Sequence, residues 1–209
     1  MVVVLPRHGV AYFPMRKVAS TSVKAALQEA FDGPGEYRAT AGVPMSARQK
    51  RLAQGCHVFT IVRDPISRLL SCYGNRVCHH RDLTAGLADR MLLRLSGLDP
   101  DPDIDTFFLN LAGYRRINDK VRRHSRPQIV SLGSDLGFFD AIYRISELDR
   151  LAQDLTDRTG RPVAFGRKQT GGPKFSFSDL SRPAQEALLA FAAEDYALLK
   201  DYFTPPRTS

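Results

Sequence analysis

Two short apolar runs, each handing over to an amphipathic helix, limit the folds open to this chain more than any other feature. The first, "GVAYFPM", covers Gly9 to Met15, and behind it Val23, Ala26, Leu27 and Ala30 fall at helical spacing. The second, "HVFTIVR", covers His57 to Arg63 and is continuous enough for a strand buried on both faces. Asp64 then offers an N-cap, Pro65 suits the first helical position, and Ile66, Leu69, Leu70 and Tyr73 give the next helix an apolar face. Strand, helix, strand, helix in this order predicts a right-handed parallel crossover and an α/β fold.

The remaining segments extend that pattern. "DGPGEYRATAGVPMS" reads as a connecting loop, and "SARQKRLAQG" as a short basic helix ending at Gly55. The stretch from Asp82 to His124 reads as mostly helical, interrupted by "DPDPDID", with a new helix from Ile104. "FFDAIYRI" is a third strand, and "SELD" a capping-box-like start to a helix through Arg158. "GRKQTGGPKFSF" is a glycine-rich basic loop, and Pro183 to Leu199 a final helix with Leu189, Ala192, Tyr196 and Leu199 on one side. No boundary stands out, so a single domain over residues 1–209 is expected.

The chain carries a net charge of +8, which favours anionic partners: nucleotides, acidic polysaccharides, nucleic acid or a membrane surface. Cys56, Cys72 and Cys78 form neither a zinc pattern nor an even disulfide set and read as reduced thiols. The opening "MVVVLPRHGVAYF" is interrupted by Pro6, Arg7 and His8 before a signal-peptide core could form. No apolar run approaches about twenty residues, so no membrane span and a cytoplasmic location are expected.

The loop between the first strand and its helix, "FPMRKVASTSVKAAL", is built to meet an anion. Strand, loop and helix aim backbone N–H groups and the positive helix end at one spot. Lys17 adds a cation at the strand exit, and Ser20, Thr21 and Ser22 add hydroxyls and a helix cap. A Walker A loop has its lysine late and contains glycines; here the lysine is early and glycine is absent from Phe13 to Leu27. An ordinary nucleotide triphosphatase is therefore disfavoured. Arg63 ends the second strand, which puts it on the same sheet edge as Lys17. Ser67 and Ser71 lie one turn apart on the following helix, so Arg63 and Ser71 can grip a second phosphate. Arg68 either joins them or pairs with an acid such as Asp64.

The pair "RKVASTSVKAAL" and "IVRDPISRLLSCY" resembles the two nucleotide-binding signatures of the sulfotransferases that use 3′-phosphoadenosine 5′-phosphosulfate (PAPS), and is closest to their carbohydrate branch. "HSRPQ" (His124 to Gln128), "FDAIYRISELDRL" and "EDYALLKDYF" are similar to that branch more loosely. The resemblance implies a P-loop-like three-layer sandwich with a short central parallel sheet flanked by helices and a helix-rich middle. It implies a 5′-phosphosulfate site at Arg16, Lys17, Ala19, Ser20, Thr21 and Ser22, and a 3′-phosphate site at Arg63 and Ser71. Lys168, with Arg167, belongs to a loop that can close over the nucleotide. Arg16 departs from the family, which has proline before the lysine.

The activity so implied is transfer of a sulfuryl group from PAPS to an acceptor hydroxyl, of a carbohydrate or glycoconjugate, leaving PAP (3′-phosphoadenosine 5′-phosphate). Neither a metal nor nucleic acid is called for. Relatives use a histidine or glutamate as base, often between the first loop and the second strand. That interval offers Glu29, Asp32 and Glu36, and "RAT" puts Arg38 where relatives have histidine. Arg38 cannot act as a base near neutral pH. Glu36 is the first candidate and His124 the second; His79 and His80 read as surface or capping residues, and His57 opens the second strand at the wrong end of the sheet. Three alternatives stand beside this reading: a non-catalytic nucleotide- or polyanion-binding protein, a small-molecule group transferase on the same fold and, last, a basic nucleic-acid binder. The basic stretch "RRINDKVRRH" suits either an anionic acceptor or a solvated helix face.

Overall fold

In the computed structural model, residues 1–166 and 171–208 are described. They form two compact units, residues 1–63 with 128–166, and residues 64–127 with 171–208.

The first unit is built on a five-stranded open sheet in the order β3-β1-β2-β4-β5. Its strands are β1 (Val2–Leu5), β2 (Val10–Phe13), β3 (Arg38–Thr40), β4 (His57–Val62) and β5 (Ala141–Arg144). β2, β4 and β5 run parallel, as the three apolar runs predict. β1 is antiparallel to both β2 and β3, so four strands share one direction and only β1 opposes them. The fold is α/β, consistent with a P-loop-like sandwich, and the parallel sheet expected from sequence carries one reversed strand.

β2 is buried at all four residues and β4 at all but His57. That burial explains their unbroken apolar sequence. Tyr12 of β2 stacks on Phe59 of β4 at 4.9 Å, and Phe59 meets Tyr143 of β5 edge-on at 6.0 Å. Two strands go beyond the three apolar runs read as strands from the sequence. β1 lies in the terminal run whose Pro6 and Arg7 turn it back as a one-turn 3₁₀ helix, Pro6–His8, closed by Gly9 at φ 59°. β3 is the "RAT" of the glycine- and proline-rich loop, an edge strand with Arg38 and Ala39 exposed. After β2 comes helix α1 (Ser20–Ala30), with Val23 and Leu27 buried. The short basic helix α2 (Ala47–Leu52) is capped by Ser46, whose hydroxyl accepts from Gln49 N–H.

The second unit is helical. Its helix α3 (Pro65–Cys72) starts where the sequence predicts: Asp64 caps it by accepting from Ser67 N–H at 2.8 Å, and Pro65 fills the first position. Ile66, Leu69, Leu70 and Tyr73 enter a core with Phe107, Tyr114 and Leu188. α3 then widens into a π-helical turn, Tyr73–His79. Gly74 is needed there, because a Cβ on it would lie 2.3 Å from the carbonyl oxygen of Pro173. Asn75 donates to the Gly171 carbonyl at 3.2 Å, so the end of the glycine-rich loop is laid onto this turn. Asp103 starts the helix Ile104–Leu109, as expected. The basic stretch "RRINDKVRRH" is two helices rather than one, because Asn118 ends Leu111–Ile117 and caps Asp119–His124.

Arg68 is 2% exposed and faces Asp195 at 3.8 Å, not Asp64, whose second oxygen accepts from the Tyr196 hydroxyl at 2.7 Å. Arg68 also donates to the carbonyls of His124 (3.3 Å) and Arg126 (2.7 Å). A guanidinium so enclosed is a structural tie, and removing its carboxylate uncovers a buried charge. Asp195→Ala is expected to lower unfolding free energy by about 3 kcal/mol, read as a shift of the urea midpoint. An unchanged midpoint would show that the carbonyls alone satisfy Arg68.

Candidate functional site

The carboxyl edge of the first unit's sheet gathers its cations. β2 ends at Phe13, whose carbonyl accepts a 2.8 Å hydrogen bond from the hydroxyl of Thr60, a wholly buried residue of β4. That bond fixes the last peptide of the strand where the loop departs. Val18, also wholly buried, pins the loop to the core. On either side of it Lys17 and Ala19 take positive φ, 67° and 58°. For residues other than glycine this region costs about 1 kcal/mol or more each. Alternating handedness over three residues turns successive N–H groups toward one concave side, the form of an anion-binding nest.

α1 follows directly. Ala19 is its N-cap, and no side chain caps it among the described residues. The expected hydroxyl cap is absent because Ser20 already lies inside the helix. The first-turn N–H groups of Ser20, Thr21 and Ser22 precede the first intrahelical bond, Val23 N–H to Ala19 C=O at 3.1 Å. They carry the positive end of the helix dipole beside the positive-φ loop.

Arg63 stands one residue past β4. Its guanidinium donates to the backbone carbonyl of Lys17 at 3.3 Å, so the structure brings together the two residues that the sequence places on one edge. The Arg63 backbone is held by Gln128, which is 1% exposed. Gln128 Oε1 accepts from Arg63 N–H at 3.3 Å, and its Nε2 donates to Arg63 C=O at 2.9 Å. On the same edge Arg144 ends β5, in register with Val62. Its Nε is buried without a hydrogen-bond partner among the described residues. Its backbone N–H donates to Glu147 at 2.7 Å. That bond, with help from Arg150, holds the Glu147 carboxyl below its ordinary pKa.

Sequence reasoning missed Thr60, Gln128 and Arg144 as parts of this edge. Arg144 had a signal, since it closes its parallel strand much as Arg63 closes the one before. Thr60 and Gln128 had none beyond their place in apolar or motif segments. Arg16 is exposed at the start of the loop. Lys168, with Arg167, lies outside the described residues. Ser71 is half-buried on α3 and His124 half-buried at the end of Asp119–His124, both in the second unit. His79 and His80 are exposed at the end of the π turn, their rings 4.8 Å apart.

Glu36 lies elsewhere. β3 runs in the direction of β2, and Arg38 and Ala11 both pair with Val4. Glu36, two residues before Arg38, is thus at the amino edge of the sheet, away from Lys17. There it is 5% exposed and held by the fork of Arg161, at 2.6 and 3.0 Å, with Arg7 at 3.5 Å. Arg161 also donates to the carbonyl of Ala30, which ties the end of α1 to the same carboxylate. These contacts make Glu36 a brace. His57 sits on that edge too, in register with Val10. Burial, then Arg158, holds its imidazole below the ordinary pKa against the opposing pull of Asp140 and Asp154.

A family model described as the sulfotransferase family matches residues 1–200. Comparison with curated proteins and with solved structures gives no match.

Two measurements follow from this geometry. Ala19→Gly is expected to raise stability by up to about 1 kcal/mol, because glycine meets φ 58° without strain; Ala19→Val should lower it. Glu36→Gln is expected to cost about 1–2 kcal/mol in a urea melt, moderated by the half-exposed Arg161. A variant of undiminished stability would contradict the brace.

Proposed function

Because the chain belongs to the sulfotransferase family, we propose that it transfers a sulfuryl group from PAPS to an acceptor hydroxyl, that of a carbohydrate or glycoconjugate. The observation that carries this reading is the loop at Lys17: two positive-φ residues, an uncapped helix start and a guanidinium on the Lys17 carbonyl, all on one sheet edge. Such a set suits a dianionic group of phosphate or phosphosulfate type, which accepts several N–H bonds at once.

PAPS, when bound, supplies the sulfuryl group, which the acceptor oxygen takes as the sulfur–oxygen bond to the 5′-phosphate breaks. The chain's own contribution is placement and charge. The amides of Ala19 to Ser22 and the Ser20, Thr21 and Ser22 hydroxyls orient the 5′ group. Lys17 stabilises charge on the leaving phosphate oxygen, an effect worth a few kcal/mol when preorganised. Arg63 binds the 3′-phosphate. For Ser71 the same assignment rests on the motif "IVRDPISRLLSCY" alone, and for Lys168 on the basic glycine-rich loop alone. With Glu36 engaged as a brace, His124 is the candidate to take the acceptor's proton, and that assignment too rests on sequence.

Calorimetry tests the reading. PAP is expected to bind at least tenfold more tightly than 5′-AMP, because charge-assisted bonds to the 3′-phosphate contribute about 1.5 kcal/mol or more. Arg63→Ala should erase the difference, and equal binding of both by the wild type would overturn the proposal. With labelled PAPS and a panel of sugar acceptors, transfer should vanish in Lys17→Ala. Tight PAP binding with no transfer to any acceptor would instead favour a binding protein.

A further inference from the structure

The segment "HSRPQ" recurs in the sequence resemblance without any chemistry attached to its last residue. We infer that Gln128 is the positioning residue for Arg63 and, through it, for the Lys17 loop of the first unit. The inference rests on the PAPS-binding reading given above and adds to it a residue which that reading does not use.

Gln128 begins the short helix Gln128–Leu132 and is 1% exposed. A side-chain amide buried so deeply must satisfy an acceptor and a donor. Both needs are met on Arg63: Oε1 takes its N–H and Nε2 gives to its C=O. This is the pair of bonds that a neighbouring strand would offer, supplied where β4 has ended and no ladder continues. Val62 is the last residue of β4 paired with β5, so without Gln128 the peptide groups of Arg63 would lose these two partners.

The consequence reaches beyond Arg63. With its backbone fixed, the Arg63 guanidinium reaches the carbonyl of Lys17, whose φ of 67° is a conformation the loop would not adopt unaided. One buried amide therefore sets the origin of the Arg63 side chain and, through it, supports the strained turn of the Lys17 loop. A glutamate of the same shape can still accept from the Arg63 N–H. It cannot donate to the carbonyl, and it would bring a negative charge close to the arginine. A leucine offers neither bond.

The experiment compares wild type, Gln128→Glu and Gln128→Leu by calorimetry with PAP and with 5′-AMP, alongside thermal melting. The expected result is a loss of about tenfold in PAP affinity for Gln128→Leu, because Arg63 must then be ordered on binding without its two backbone partners. Gln128→Glu should lose a similar amount, and the ratio of PAP to 5′-AMP affinity should fall in both. A purely structural role would lower the melting temperature and leave that ratio at the wild-type value, which would overturn the inference. Should the leucine variant fail to fold, the glutamate variant, which keeps one bond, is read by the same ratio. A wild-type protein that does not prefer PAP over 5′-AMP would remove the reading beneath the inference. A wild type with the preference, and variants that keep it, would remove the inference alone.

Discussion

Two peptide units in a disfavoured conformation, at Lys17 and Ala19, are the constraint around which the first unit is organised. A glycine-rich loop would reach the same shape without strain. This chain places a lysine and an alanine there, and the surroundings must hold them. Three contacts do so from different directions: Thr60 on the carbonyl before the loop, buried Val18 within it, and Arg63 on the carbonyl of Lys17 itself. Each anchor sits on or just past the ordered end of a parallel strand or in the core. The sheet therefore acts as the rigid member and the loop as the tensioned one. Strain kept in this way disfavours collapse of the loop onto its own amides and leaves the first-turn N–H groups of α1 on its concave side.

The two edges of the sheet divide the work. The carboxyl edge collects Lys17, Arg63 and Arg144, so positive charge accumulates where parallel strands open. The amino edge collects Glu36 with Arg161 and Arg7, where cations are matched by a carboxylate, and places His57 near Asp140. This polarity decides the fate of Glu36 more firmly than its position in the chain does. It falls in the interval where the sequence resemblance leads us to expect a base, yet the reversed strand β1 carries the following strand to the far side of β2. Two arginines on one buried carboxylate then make a tie between the end of α1, the start of β3 and the segment after the helix Leu148–Thr159.

What could be read from the sequence follows from burial. β2 and β4 were legible because nearly all their residues are buried and so mostly apolar, and β5 because its short run of Ala141, Ile142 and Tyr143 keeps the same character though only Tyr143 is buried. The start of α3 was legible because Asp64 and Pro65 act locally, within one helical turn. β3 was not, since an exposed three-residue edge strand needs no apolar side chains and borrows its conformation from β1. Ala19 as a left-handed cap was not, since nothing in an alanine announces φ 58°. Arg68 was open between the anion grip and an acid such as Asp64, and its carboxylate comes from Asp195, more than a hundred residues away. Local chemistry is written in the sequence; partners supplied by tertiary contact are not.

Gln128 belongs to that second class and shows why a motif can be visible while its meaning is not. The letters "HSRPQ" stand out, but the amide acts on Arg63, sixty-five residues earlier, and only after β4 has ended. A strand that stops at a binding edge leaves unpaired peptide groups there, and a flexible last residue cannot hold a guanidinium in one place. Extending the ladder by another strand would cover the edge with backbone and close it to a ligand. A single buried side-chain amide meets the same hydrogen-bonding need in the space of one residue and leaves the edge open. On that argument the third segment does for Arg63 what a longer sheet could not do without covering the edge.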